Sequence, residues 1–209
     1  MKFKLKRDLF FMFFLIGLSR SVSAQSNPEY VITDKGDTIL CSIKQELFGG
    51  LKYTPVSDEQ AKRIVAERIK EYYHNKEKNP FLAKKLPKPS AIKFVERLEF
   101  GQICLYELYQ SSPGGIQQGR MTPGSTRRFW YAEKNGEHKL FLIKTNQLVS
   151  LGTSRKDRKA AFDELLGDDQ ELLQQFKNKE EYSFDEIRET IKAYNTKHVK
   201  VGVSSEFNR

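Results

Sequence analysis

The chain changes its hydrophobic period once. Up to about residue 150, short apolar runs alternate with polar positions, the period-two signature of strands with one buried face. After Leu151 the apolar positions recur every three or four residues, as on amphipathic helices. Tyr30–Thr33, the turn DKGD and Thr38–Lys44 predict an opening hairpin, with Gly36 supplying the positive φ of a tight turn. Ile39, Cys41 and Ile43 share the buried face of its second strand, and Gly49-Gly50 returns the chain through Leu51–Val56. Ile92–Leu98 alternates in the same way and leads into Gly101–Tyr109 (GQICLYELY), the most apolar strand outside the N-terminus. There Ile103 and Leu105 point one way while Cys104, Tyr106 and Leu108 point the other, so both faces require cover. Helices after Ser154 are expected to cover one face and curvature of the sheet the other. Phe129–Lys134, Asn135-Gly136 and His138–Lys144 form the strongest hairpin signal, because Asn-Gly suits a type I′ turn. Its alternation sets Trp130 and Ala132 against Phe129 and Tyr131, which places at least one aromatic set in the core.

The segments between these runs are less regular. Residues 57–75 carry Ala61, Ile64, Val65, Ile69 and Tyr72 at helical spacing, yet Ile64-Val65 and Tyr72-Tyr73 are β-prone pairs. Phe81–Pro89 (FLAKKLPKP) is basic and interrupted by proline, which suggests an edge or a loop. Residues 111–127 have no apolar period and much Gly, Pro and Ser, and read as a long flexible loop. Further on, Ser154 can cap a helix in which Ala161/Leu165 and Phe162/Leu166 stack. Gly167 ends that helix and Asp168 starts the next, with Leu172, Leu173 and Phe176 as its stripe. Ser183 and Glu186 form a capping-box pattern before Phe184, Ile187, Ile191 and Tyr194. The expected fold class is α+β: an antiparallel β meander of about seven to nine short strands, curved or partly barrel-like, with about three C-terminal α-helices packed on it. Residues 25–150 would hold the sheet and 151–209 the helices, ending in a frayed tail.

The first 24 residues stand apart from this pattern. Lys2, Lys4, Lys6 and Arg7 precede the apolar run LFFMFFLIGL, and Val22-Ser23-Ala24 offers small side chains for cleavage. This is the three-part pattern of a secretory signal peptide, and its apolar run is half of the about 20 residues that a membrane span needs. The chain is therefore expected to be exported, periplasmic or secreted, with cleavage near Ala24. The leader holds five of the basic residues and one acid, so the net charge of +9 falls to +5 without it. That mild excess favours anionic surfaces and is no nucleic-acid signature. No later stretch is apolar enough for a transmembrane helix. Only Cys41 and Cys104 are available for a disulfide, which an oxidising compartment would permit; without a CxxC spacing, both also suit buried packing positions.

The order of several motifs adds a resemblance. YVITDKGDTI, then IKEYYHN, then FVERLEFGQICLY, and less distinctly TNQLVSLGTSRKDRKAAFDELLGDD and IRETIKAYN, resemble a group of uncharacterised exported proteins typical of Bacteroidota. The likeness spans most of the chain after the leader. It implies strand, short helical turn around Ala66–Ile69 and strand over residues 61–75. No function or site residue comes with it.

Candidate chemistry is sparse. GxSxG, HExxH and paired-cysteine metal spacings are all missing from the sequence, so no cofactor is expected. His74, His138 and His198 are far apart; His138 and His198 are expected at the surface, and His74 at a half-buried strand position. Glu96, Glu99 and Glu107 flank the central strands and read as solvated. The least ordinary stretch is Arg155-Lys156-Asp157-Arg158-Lys159, because cations in the first turn oppose the helix dipole. Arg155, Lys156, Arg158 and Lys159 are thus a candidate anion-binding patch, which Lys84, Lys85 and Lys88 could extend. The expected function is a non-catalytic exported module that binds another envelope protein or an anionic surface. An enzyme acting on a small ligand or glycan, with a site assembled from scattered residues, is the alternative. Peripheral attachment to anionic lipid or polysaccharide is the third.

Overall fold

The computed structural model describes residues 27–46, 49–87, 90–117, 120–135, 137, 139–147, 152–179 and 181–199. The leader, Lys88, Gly136, His138 and the tail after Val199 lie outside these residues. The fold is α+β. Twelve strands precede three helices among the described residues: β1 Tyr30–Thr33, β2 Thr38–Gln45, β3 Leu51–Pro55, β4 Lys62–Arg63, β5 Ile69–Tyr73, β6 Phe81–Lys85, β7 Ile92–Glu99, β8 Ile103–Ser112, β9 Gly115–Gln117, β10 Arg120–Thr122, β11 Ser125–Lys134 and β12 Phe141–Thr145. The helices are α1 Arg155–Leu165, α2 Gln170–Asn178 and α3 Phe184–Lys197.

Ten strands form one open antiparallel sheet in the order β12-β11-β8-β7-β6-β5-β1-β2-β3-β4, and β9 with β10 forms a separate hairpin. The sheet is not a simple meander, because β5 pairs with β1 rather than with β4. Only Ile64–Arg68 link β4 to β5, and Ile69 N–H donates to the Val65 carbonyl (3.0 Å), closing a helical turn. A turned link this short cannot cross the four strand spacings of about 4.8 Å that a flat sheet would put between β4 and β5. The first strands therefore curl around Val31, Cys41, Ile43, Tyr53, Ile64, Ile69 and Tyr72, which form one core. Residues 61–75 are strand, turn and strand; the helical spacing of their apolar residues reports burial inside this curl.

Three other expectations are corrected. Phe81–Lys85 is an internal strand, paired with β5 on one side and β7 on the other. Pro87 falls beyond its last paired residue, so no ladder hydrogen bond is lost. Residues 111–127 are largely strand, since β8 and β11 pair as far as Ser112↔Ser125 and the β9–β10 hairpin continues beyond them. Backbone pairing needs no apolar alternation, so this projecting ribbon left no periodic trace. The total of twelve strands exceeds seven to nine for the same reason. At the second hairpin Glu137 N–H donates to the Lys134 carbonyl (3.0 Å), but β12 starts only at Phe141.

The two faces of β8 are covered differently. Ile103 and Leu105 join Trp130, Ala132 and Ile143 beneath Phe162, Leu166, Ile187 and Ile191 of the helical region, the largest core. Cys104, Tyr106 and Leu108 pack with Leu86, Val95, Phe129 and Tyr131, and Leu82, Leu140 and Leu142 lie against them. Burial of each such aliphatic or aromatic side chain stabilises the fold by roughly 1.5–3 kcal/mol. Both aromatic sets of β11 are core.

Candidate functional site

The candidate site lies where β12 passes into α1. Ser154 caps α1: its hydroxyl accepts from Asp157 N–H (3.1 Å), and the Asp157 carboxylate accepts from Ser154 N–H (2.9 Å). This box spends the only acid of the segment on the backbone and fixes the direction of the basic residues. Arg155 and Lys156 stay exposed, Lys159 is half-buried, and Arg158 turns inward to 6 % exposure. Arg158 Nη1 donates to the Thr153 carbonyl (2.6 Å).

The predicted patch is therefore divided. Arg155 and Arg158 enter a cleft shared with Lys144, Thr145, Asn146, Gln147 and Tyr182, of about 280 Å³, whereas Lys156 and Lys159 do not line it. Lys84 and Lys85 do not line it, and Lys84 instead pairs with Glu133 at 2.5 Å. Lys144 was not foreseen. The register of β11 and β12 shifts between Trp130 and Tyr131, skipping Ile143. This bulge lets Ile143 enter the helix-side core while Lys144 reaches over Tyr182 and Phe184 (4.9 and 5.4 Å from the ring centroids). Lys144 Nζ donates to the Tyr182 carbonyl, and the Tyr182 hydroxyl bonds the carbonyls of Ile143 and Arg158 (2.5 and 3.1 Å). Tyr182 thus binds β12, α1 and the segment before α3 together. Nothing in FLIKT signals the bulge, so the sequence could not have supplied Lys144.

The electrostatics of the cleft are one-sided. Among the described residues its lining holds three cationic side chains and no acid. Burial first, then the charges of Arg155 and Arg158, hold the Lys144 ammonium below its ordinary proton affinity. Next to the cleft, Asn146 is bonded to the β11 backbone: its Oδ1 accepts from Arg128 N–H (2.9 Å) and its amide donates to the Thr126 carbonyl (3.3 Å). The Arg128 guanidinium lies 4.4 Å from the Phe184 ring centroid, so Arg128 and Lys144 flank the same ring. The ribbon beyond it, residues 109–128, carries three arginines and no acid, with Arg120, Arg127 and Met121 exposed. One end of the molecule is thereby basic.

Other candidates resolve into structure. Cys41 and Cys104 are free and buried, on strands five spacings apart in the sheet, about 24 Å along it. They pack in two separate cores, Cys41 with Val31 and Tyr72 and Cys104 with Val95 and Tyr131, and no disulfide joins them in this fold. Burial and then Glu29 push the Cys41 thiol up to about 11. Glu107 is not solvated: at 5 % exposure it accepts from Trp130 Nε1 (2.5 Å) and from Arg128 Nε. Glu96 accepts from Asn79 (2.8 Å), and Glu99 pairs with Arg188 (2.5 Å). His198 is half-buried, bonded to Asp169 (2.9 Å) and stacked on Tyr194, while His74 lies 3.5 Å from Glu29. Among the described residues no group of His, Cys, Asp and Glu could hold a metal ion, and no helix is long and apolar enough to cross a membrane. Compared with protein-family models, curated proteins and solved structures, the chain matches none.

Proposed function

We propose that the protein is an exported, non-catalytic binding module of the cell envelope, and that its basic end docks on an anionic surface or partner. The leader pattern of residues 1–24 supports export. The observation that carries the binding reading is the convergence of Lys144, Arg155 and Arg158 in one acid-free cleft. Like charges held together, Lys144 and Arg155 above all, cost free energy that an anion would return, and the cation-rich ribbon beside the cleft extends the attractive field.

Two measurements test this reading. Fractionation of expressing cells with N-terminal sequencing should find the protein outside the cytoplasm and beginning at Gln25; a cytoplasmic chain that retains Met1 refutes export. Retention on an immobilised sulfated polysaccharide should be strong at low salt and weak at high salt. Reversing Arg155 and Lys156 to Glu, both exposed, should abolish it without lowering the melting temperature. Retention unchanged by salt and by these substitutions refutes the basic end as the binding face.

A further inference from the structure

We infer that the Lys144–Arg155–Arg158 cleft is a site for a phosphomonoester group, a tetrahedral dianion, carried by a small hydroxylated molecule or lipid headgroup. This deepens the preceding proposal and rests on it for the location of the binding face.

The argument begins with the other clefts. Three more concavities open on the molecule, and each mixes signs: Glu99 with Lys192 and His198, Glu67 with Lys62, Arg63 and Arg68, and Glu189 with Lys179. Only the cleft at the start of α1, among these four, has cations without a carboxylate. Lys144 and Arg155 take part in no salt bridge among the described residues, and the one acid next to Arg155 in sequence space, Asp157, is consumed by the cap. Against Lys144 and Arg155 a carboxylate ligand would leave one positive charge uncompensated, whereas a dianion leaves none. The donors suit several oxygens as well. Lys144 has donated one of its three protons to the Tyr182 carbonyl, and Arg155 brings a planar fork of five N–H groups that matches phosphate geometry. These groups come from β12 and from α1, so the site is assembled by side chains of two elements and does not depend on the helix terminus.

Size and one orphaned atom describe what the phosphate is attached to. About 280 Å³ exceeds what a phosphoryl group fills and leaves room for a glycerol- or sugar-sized portion. Gln147 Oε1 is buried, has no hydrogen-bond partner among the described residues and belongs to a residue that lines the same cleft. A hydroxyl on that portion would satisfy it and remove the cost of roughly 1–3 kcal/mol that such an acceptor carries.

The experiment uses the full chain after leader removal, titrated by calorimetry at pH 8 with inorganic phosphate, glycerol 3-phosphate, sulfate and acetate in turn. Glycerol 3-phosphate should bind tightest, phosphate and sulfate next, and acetate at least about tenfold more weakly than phosphate. Arg155→Met, at an exposed position that folding does not need, should weaken phosphate about tenfold or more, and Lys144→Met likewise; Lys192→Met in a mixed-sign cleft should change nothing. Acetate binding as well as phosphate, or phosphate binding unchanged in both cleft variants, overturns the assignment. Vesicles containing phosphatidic acid, compared with phosphatidylglycerol vesicles of equal surface charge, separate the sources. Capture by phosphatidic acid that glycerol 3-phosphate competes away supports the site on a lipid headgroup. Glycerol 3-phosphate binding without vesicle capture supports it on a soluble ligand. Equal capture by both vesicle types, insensitive to Lys144→Met, sinks the phosphomonoester site while leaving a generally basic docking face intact. Absence of glycerol 3-phosphate binding, vesicle capture and polysaccharide retention removes the two proposals together.

Discussion

Asn195 stands in for a missing strand. The β7–β8 ladder stops at Glu99↔Leu105, leaving the backbone of Ile103 open on that side. Asn195 Oδ1 accepts from Ile103 N–H and its amide donates to the Ile103 carbonyl, both at 2.8 Å. The contact brings α3 so close that a Cβ at Gly101 would lie 2.4 Å from Asn195 Cγ. Gly101 is therefore glycine for space, which its place at the head of an apolar strand did not reveal. Gly101→Ala should destabilise the protein by about 1–3 kcal/mol in urea unfolding, because Asn195 cannot move without losing both bonds. Asn195→Ala removes the clash together with the bonds, so adding Gly101→Ala to it should cost little more. Additive losses in the double variant would disprove the contact. The sequence reading also erred at Glu107, where alternation on a strand says which face a carboxylate takes and not that Trp130 and Arg128 await it there.

At the scale of elements, the helix caps were the most legible feature. Ser154 and Ser183 cap as their spacing from Asp157 and Glu186 suggests, since a cap is decided within one turn of chain. The cap of α2 is Asp169 rather than Asp168, which instead accepts from the Tyr194 hydroxyl (2.7 Å). Asp169 ties two helices together: its carboxylate caps α2 and receives Lys197 and His198 from the end of α3, each at 2.9 Å. Lys197 foremost, then His198 and the Leu172 N–H, hold its carboxyl at about 2 against an ordinary 3.8. A carboxyl depressed on folding contributes stability that is complete above its unfolded value and disappears as pH falls through its folded one. The stability difference between the native protein and Asp169→Asn should thus be present at about pH 5, shrink between about 4 and 2, and nearly vanish below. Urea unfolding at a series of pH values checks this, and a difference independent of pH would remove Asp169 from that role. The bulge in β12 and the ribbon beyond Tyr109 were hidden because neither a register shift nor backbone pairing imposes a side-chain period.

For the whole molecule, the helical region completes the sheet rather than forming an appendage. Phe162, Leu166, Ile187 and Ile191 are fully buried, and their counterparts are Ile103, Leu105, Trp130 and Ile143 on the sheet. Three helices of 11, 9 and 14 residues are each too short to persist alone in water. A chain ending at Gln147 should consequently expose that sheet face, bind a hydrophobic dye and aggregate where the longer protein stays monomeric. A monomeric, cooperatively unfolding fragment of residues 27–147 would mean that the sheet is stable without the helices. The same docking creates the basic cleft, since Lys144 comes from the sheet and Arg155 and Arg158 from α1.

The sequence by itself determined the α+β class, the change of period near Leu151, the two-faced burial demand of Ile103–Leu108 and the position of two helix caps. All of these rest on interactions within a few residues or on a side-chain period that burial imposes directly. Tertiary structure alone decided that β5 returns to β1, that Phe81–Lys85 is internal, that Cys41 and Cys104 fall in separate cores, and that Arg158 turns inward while Lys144 joins it. Those outcomes depend on which distant segments pair and where a register slips, and no local period encodes the partner.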